Sequence, residues 1–109
     1  SSRGEVDVGG IVSLNDSPRV VHGRIDRMVV REDRIDLVEF KTNRPPPKHV
    51  DKIPVAYLRQ LAIYRALVQA MYGDKPVHCS LLWTNIPAIM PVPAAMLDAQ
   101  GVTASNLPS

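Results

Sequence analysis

The stretch IDLVEFKTNRPPP, residues 35–47, constrains the fold more than any other part of the sequence. It begins as an apolar run rich in strand-forming residues, which favours a buried β-strand. The prolines at 45–47 end that strand, because proline has no N–H to donate to a sheet. Glu39 and Lys41 interrupt the apolar run two positions apart, so both side chains point to the same face. A buried strand therefore carries an acid and a base on one face just before it ends.

Further strands and one helix surround this stretch. EVDVGGIVSL and VVHGRIDRMVV predict two earlier strands, joined by a turn at NDSPR. PVAYLRQLAIYRALVQAMY predicts a helix, with Pro54 in its first turn and Gly73 just beyond its end. VHCSLLWT predicts a strand buried on both faces, and AIMPV predicts a short edge strand. The pattern predicts the α/β class, with a mixed sheet flanked by helix.

Length and composition limit the function further. The 109 residues suffice for one domain, predicted over 1–98, and AQGVTASNLPS at 99–109 predicts a polar tail or linker. No apolar run reaches the ~20 residues of a membrane helix. The single Cys79 excludes an internal disulfide and a four-cysteine iron–sulfur cluster within this chain, and this cysteine usage fits a reducing, cytoplasmic location. The net charge of only +2 means that binding to a polyanion would depend on local charges or bound metal.

The strands at 20–30 and 35–42 are separated by a short REDR connection, which predicts a β-hairpin. A loop centred between residues 32 and 33 places Asp26 opposite Glu39, whereas one centred between 33 and 34 places it opposite Lys41. In both registers Asp26, Glu39 and Lys41 lie on one face, and the alternation adds His22 and Arg24 to the face of Asp26. One end of the hairpin is then apolar and the other charged.

Two carboxylates about 5 Å apart repel each other unless a positive group lies between them. A hard divalent cation such as Mg²⁺ fits, since it takes oxygen ligands from one or two carboxylates and from substrate phosphate. Asp26, Glu39 and the backbone carbonyl of Phe40 are the predicted ligands, and Lys41 would stabilise the attacking water or the charged transition state. The alternative from spacing alone is a solvated salt-bridge cluster on an open sheet face.

Three ordered motifs match a known pattern: GRID at 23–26, EFKT at 39–42 and QLAIY at 60–64. Together they resemble the PD-(D/E)xK nuclease superfamily, in its RecB-like branch. EFKTNRPPP, AYLRQLAIYRALV and LLWT resemble in particular the C-terminal nuclease domain of the AddA subunits of bacterial AddAB helicase–nucleases. The resemblance implies a restriction-endonuclease-like mixed sheet flanked by helices. The family's upstream helix, often a source of a His or Glu near the metal, has no counterpart before the first predicted strand. The chain also starts without Met, and it is interpreted as a domain of a longer protein.

The resemblance also implies an activity and its residues. Asp26 and Glu39 would hold catalytic Mg²⁺, for which Mn²⁺ can substitute, and Lys41 would assist hydrolysis of a DNA phosphodiester. Further residues would contact DNA or support the site, namely Gln60, Tyr64, Arg24 and Thr42. The implied parent is an ATP-driven helicase–nuclease that works with a second subunit in double-strand-break repair and recombination. Alternatives are a catalytically inactive nuclease-fold module that binds DNA or a partner subunit, and a sequence-specific endonuclease.

Overall fold

The computed structural model describes residues 2–42, 44–73 and 75–104. Its strands are β1 (Ser2–Arg3), β2 (Val6–Leu14), β3 (Ser17–Ile25), β4 (Arg27–Val30), β5 (Ile35–Lys41), β6 (Val77–Trp83), β7 (Ala88–Val92) and β8 (Val102–Ala104). Its helices are α1 (Val55–Tyr72) and α2 (Ala94–Asp98), and a single 3-10 turn spans Val50–Lys52. The α/β class predicted from the sequence is confirmed.

The strands form two sheets. One has five strands in the order β1-β4-β5-β6-β7, and the other has three in the order β3-β2-β8. β5 and β6 are parallel, whereas every other paired neighbour is antiparallel. Parallel neighbours need a crossover connection, and the segment that contains α1 supplies it. The carboxyl ends of β5 and β6 therefore meet at the same edge of the five-stranded sheet.

The β4–β5 hairpin has one of the two predicted registers. Val30 pairs with Ile35 and Met28 with Leu37, so the four-residue loop is centred between residues 32 and 33. The same register places Asp26, one residue before β4, level with Glu39. Of the two registers left open by the sequence, the structure therefore has the one that sets Asp26 opposite Glu39 rather than Lys41.

The segment 20–30 is not one strand, contrary to the prediction. It breaks at Asp26, where β3 pairs with β2 and β4 pairs with β5 in the other sheet. Ile25 and Met28 are both buried although three positions separate them, which a continuous strand with alternating faces does not allow. The prediction that His22 and Arg24 share the face of Asp26 is therefore wrong, because the inward-facing positions change parity at the break.

α1 is buried over most of its circumference. Its buried residues are Leu58, Leu61, Ala62, Tyr64, Arg65, Ala66, Leu67 and Val68. Pro54 precedes the first helical residue, and Gly73 ends the helix with a positive φ of 65°. Each fully buried aliphatic side chain of this kind stabilises the fold by about 1.5–3 kcal/mol. Among the described residues, none of the helices combines the length and apolarity needed to cross a membrane.

β6 alternates rather than being buried on both faces. Val77, Cys79, Leu81 and Trp83 point into the core, whereas His78 is exposed. The expectation of two buried faces is therefore wrong, since α1 covers only one side of this sheet in the part of the chain described. β7 is the edge strand next to β6, as AIMPV predicts.

Two elements near the C-terminus were not predicted. α2 follows β7 directly, and Leu97 anchors it in the core. Val102–Ala104 form β8 against β2, within the segment 99–109 that the sequence suggested to be a polar tail. Residues 105–109 lie outside the described part of the chain.

Candidate active site

Two hydrogen bonds join Asp26 to the end of β5, one to Glu39 and one to Phe40. The Asp26 N–H donates to Glu39 Oε1 over 2.9 Å, and the Phe40 N–H donates to Asp26 Oδ2 over 2.8 Å. In a continued ladder Phe40 would pair with Ile25, but Ile25 pairs with Val6 in the other sheet. The Asp26 carboxylate replaces that missing backbone acceptor. The break in the strand thus fixes both carboxylates at one point.

Glu39 is the more unusual of the two acids, because only 4% of it is exposed. The pKa of Glu39 is raised from its ordinary 4.5 to about 7, chiefly by burial and in part by the negative charge of Asp26. The backbone N–H of Asp26 and the charge of Lys41 act in the opposite direction without cancelling the effect. A cation between the two carboxylates would favour the ionised form of Glu39.

The oxygen donors at this point suit a hard divalent ion. In an extended strand the N–H and C=O of one residue point to the same neighbour, so the Phe40 carbonyl faces the side of Asp26. Asp26, Glu39 and this carbonyl offer oxygen ligands only, as Mg²⁺ prefers. Within the described ranges no group of three or more His, Cys, Asp or Glu side chains could hold a metal. The donor set therefore fits an ion that keeps several waters, which is the usual behaviour of Mg²⁺.

Lys41 lies beside the carboxylates and is oriented by α1. Its Nζ donates to Gln60 Oε1 over 3.1 Å and lies 4.1 Å from the centroid of the Tyr57 ring. Gln60 Nε2 donates in turn to the Tyr64 hydroxyl over 3.5 Å. The structure therefore brings the predicted Gln60 and Tyr64 to Lys41. Sequence reasoning missed the contact of Tyr57, although its position three residues before Gln60 places it on the same helix face.

Tyr64 fills the space above Gly23, and only 8% of it is exposed. A Cβ on Gly23 would lie 2.5–2.9 Å from the ring and hydroxyl of Tyr64, so this place accepts only glycine without a shift. Burial, followed by the negative charge of Glu39, raises the pKa of Tyr64, while a hydrogen bond with the Arg24 backbone lowers it. The glycine of GRID therefore lets α1 approach β3 closely.

The remaining two predicted residues, Arg24 and Thr42, are exposed. Arg24 points to solvent, where its Nε donates to Asp7 Oδ1 over 2.9 Å and its Nη1 to Glu5 Oε2 over 3.3 Å. Thr42 is exposed just after β5. The break at Asp26 is what separates the Arg24 side chain from the site.

Comparisons with known proteins identify the family and the fold. A family model of the PD-(D/E)XK nuclease superfamily matches residues 3–100. An ATP-dependent helicase/nuclease of Limosilactobacillus fermentum, the AddA-type polypeptide, is 30% identical over 91 residues, which cover 78% of this chain and 7% of that protein. The crystal structure of SSO0001 superposes with a TM-score of 0.53 at 17% identity, covering 89% of this chain and 46% of that one, and shows the same fold. Because the family match spans nearly the whole sequence, the chain belongs to the PD-(D/E)XK nuclease superfamily, and its fold is the restriction-endonuclease-like one that the motifs predicted.

Proposed function

We propose that this chain is a metal-dependent DNA exonuclease domain that hydrolyses phosphodiester bonds. The observation that carries the proposal is a set of three hydrogen bonds of 2.8–3.1 Å around these side chains. The Asp26 N–H donates to Glu39, the Phe40 N–H donates to Asp26, and Lys41 donates to Gln60. A solvated salt-bridge cluster does not account for this arrangement, because Glu39 is buried and has a raised pKa. Membership of a nuclease superfamily supports the same conclusion.

In this proposal Asp26, Glu39 and the Phe40 carbonyl hold Mg²⁺, for which Mn²⁺ can substitute. A bound ion of this type polarises a phosphoryl oxygen and lowers the pKa of a coordinated water. Lys41 donates hydrogen bonds toward the scissile phosphate and the attacking water, which stabilises the charge that develops there. Gln60 accepts a hydrogen bond from one of the three N–H groups of the Lys41 ammonium and so fixes the direction of the other two.

The other predicted residues are proposed to support the site rather than to bind the metal. Gln60 and Tyr64 act as positioning residues for Lys41, and they contact DNA where it passes between α1 and β3. Thr42 supports the end of β5. Arg24 is proposed to act through its backbone, which holds the Tyr64 hydroxyl, rather than through its guanidinium.

The wider setting is also a proposal. The chain spans 7% of the length of the curated relative that it matches, whose name combines helicase and nuclease. We infer a parent protein of the AddAB type in the bacterial cytoplasm, in which an ATP-driven motor and a second subunit deliver DNA during double-strand-break repair and recombination. The chain itself contains no P-loop sequence that could bind the nucleotide.

Cleavage of end-labelled linear DNA in Mg²⁺ tests the site. Asp26→Asn keeps an acceptor for the Phe40 N–H but removes a metal-binding charge, and Lys41→Ala removes the ammonium. Each should lower the cleavage rate by about 100-fold or more. Asp36→Asn is the matched control, because this acid lies on the same strand as Glu39 but pairs with Arg31 and Arg34 near the hairpin loop. Equal rates for wild type, Asp26→Asn and Lys41→Ala would refute the proposed site.

The second candidate is an inactive nuclease-fold module that binds DNA or a partner subunit. It is favoured by one observation, that the metal donors within the described ranges comprise two carboxylates rather than three. Calorimetric titration with Mn²⁺ separates the two functions. An enzyme should bind the ion in wild type and lose that binding in Asp26→Asn, whereas an inactive module should give the same weak signal in both.

A further inference from the structure

We propose that a groove between α1 and β3 holds the single-stranded DNA that leads to the carboxylates, and that Arg59 contacts a phosphate of that strand. The inference rests on the proposed function, because it names the form of DNA that enters and the path it takes. The groove has a volume of about 360 Å³ and is bordered by Val21 and His22 on one side. Ala56, Arg59 and Ile63 line it on the other side, together with Gln60 and Tyr64.

The groove opens directly onto the candidate active site. Gln60 and Tyr64 line the groove, and Gln60 also accepts the hydrogen bond from Lys41 Nζ at 3.1 Å. A strand in the groove would therefore have a phosphate within one side-chain length of the Lys41 ammonium. The groove and the site are two parts of one continuous surface.

Arg59 is an available cation in this groove. Its side chain is exposed and makes no hydrogen bond or ion pair with any residue that the structure describes. α1 carries no Asp or Glu that could neutralise it. Four other arginines are each paired with a carboxylate: Arg24, Arg31, Arg34 and Arg65. An unpaired guanidinium is well suited to a phosphate, which it can bind through two parallel N–H groups.

The rest of the groove suits the other parts of a nucleotide. Val21, Ala56 and Ile63 provide an apolar wall for the sugar and for a base face. β3 is the edge of its sheet, so alternate peptide groups have no strand partner there. β3 lies directly against α1 here, because a Cβ on Gly23 would lie 2.5–2.9 Å from Tyr64, and Val21 and His22 line the groove. The unpaired N–H and C=O groups of this edge can bond to phosphate or sugar.

The dimensions and charge indicate one strand rather than a duplex. A volume of about 360 Å³ is at the lower end of the range for small-molecule sites, which corresponds to roughly one nucleotide. Duplex binding depends mainly on the neutralisation of phosphates on two strands. The net charge of +2 and a single unpaired cation on α1 provide little of that neutralisation.

Fluorescence anisotropy with a labelled oligothymidylate of about ten nucleotides tests the groove. The 109-residue chain is titrated in EDTA, so that no cleavage occurs, between about 50 and 200 mM salt. Arg59→Gln should weaken binding about three- to tenfold and lower the slope of log K against log salt by about 0.7, the value for one phosphate on a single strand. Arg34→Gln removes the same charge near the β4–β5 loop and should leave both quantities unchanged. Ala56→Trp should block the groove, whereas Gln69→Trp, exposed on the same helix outside the groove, should not.

The outcomes separate this inference from the nuclease proposal. Three results would each refute the proposal that the groove binds single-stranded DNA. They are equal losses of affinity in Arg59→Gln and Arg34→Gln, no loss of affinity in either variant, and tighter binding of a duplex of the same length. If Arg59→Gln loses binding and slope but wild type does not cleave DNA in Mg²⁺, the groove is supported and the nuclease proposal fails. If wild type cleaves DNA and Arg59→Gln binds as wild type does, the groove fails and the nuclease proposal remains.

Discussion

The buried carboxyl of Glu39 predicts that the metal-free chain loses stability as the pH rises. Its pKa is about 7 in the folded chain, against an ordinary value of 4.5. Between these pH values the folded state binds more protons than the unfolded state, so the free energy of unfolding decreases with increasing pH. Each pH unit of this difference is worth about 1.4 kcal/mol, which gives a total loss of about 3 kcal/mol between pH 4.5 and 7.

Glu39→Gln should remove this pH dependence. Gln keeps an oxygen that can accept the Asp26 N–H, but it has no charge to desolvate. The variant should match wild type near pH 4.5 and exceed it by up to about 3 kcal/mol above pH 7, in urea unfolding with EDTA present. Mg²⁺ at a hundred times its Kd should restore about 2.7 kcal/mol to wild type at pH 8, and little to the variant.

Asp36→Asn serves as the control for this experiment. Burial alone would raise the pKa of Asp36, but the hydrogen bond of Arg31 and the charges of Arg34 and Arg31 outweigh it and lower the pKa. Its contribution is therefore lost only as the pH falls toward its pKa, below the ordinary 3.8. Asp36→Asn should leave the slope between pH 4.5 and 7 as it is in wild type. A wild-type stability that is flat over this range, or parallel curves for wild type and Glu39→Gln, would refute the reasoning.

Three further predictions concern stability, each measured by urea unfolding. Gly23→Ala should destabilise the chain by about 1–3 kcal/mol, because the added Cβ would lie 2.5–2.9 Å from Tyr64. Gly4→Ala is the control: its Cβ would have no atom within 4 Å, so stability should change by less than about 0.5 kcal/mol. Equal effects of the two substitutions would contradict the close packing of Tyr64 on Gly23. Tyr64→Phe should cost about 1 kcal/mol through loss of its hydroxyl's hydrogen bonds, and a neutral result would mean that water replaces them. Leu81→Ala should cost about 2–5 kcal/mol because Leu81 is fully buried, and Val20→Ala, at a position 75% exposed, should cost almost nothing.

The β4–β5 hairpin could be predicted, and its register limited to two choices, because two local signals agree. Met28 and Val30 are apolar at alternate positions, as are Ile35 and Leu37, and the connection is short. Both registers keep these side chains on one face, so only the observed pairing of Val30 with Ile35 decides between them. The same alternation places Glu39 and Lys41 together at the far end of the strand. Local sequence therefore specifies most of the site.

The break at Asp26 was missed, although the sequence carries a sign of it. Val21 and Ile25 are apolar at odd positions, whereas Met28 and Val30 are apolar at even ones. That change of parity requires a break or a bulge between them. The partner of each half is a different matter. That β3 pairs with β2 and β4 pairs with β5 depends on contacts between distant parts of the sequence, which no local pattern encodes. β8 was missed for a related reason, since three small or β-branched residues gain stability only from pairing with β2.

The break also explains why the acids and the lysine of this nuclease fold lie where they do. A regular ladder would satisfy the Phe40 N–H with the carbonyl of Ile25 and would need no carboxylate there. Because β3 leaves for the second sheet, one N–H of β5 is left without a backbone partner. The Asp26 carboxylate accepts that N–H, and the Asp26 N–H provides Glu39 with a donor inside the protein. The separation of the two sheets and the convergence of the two carboxylates are therefore one structural event, and a substitution that restored a continuous strand would remove the site without changing Glu39 or Lys41.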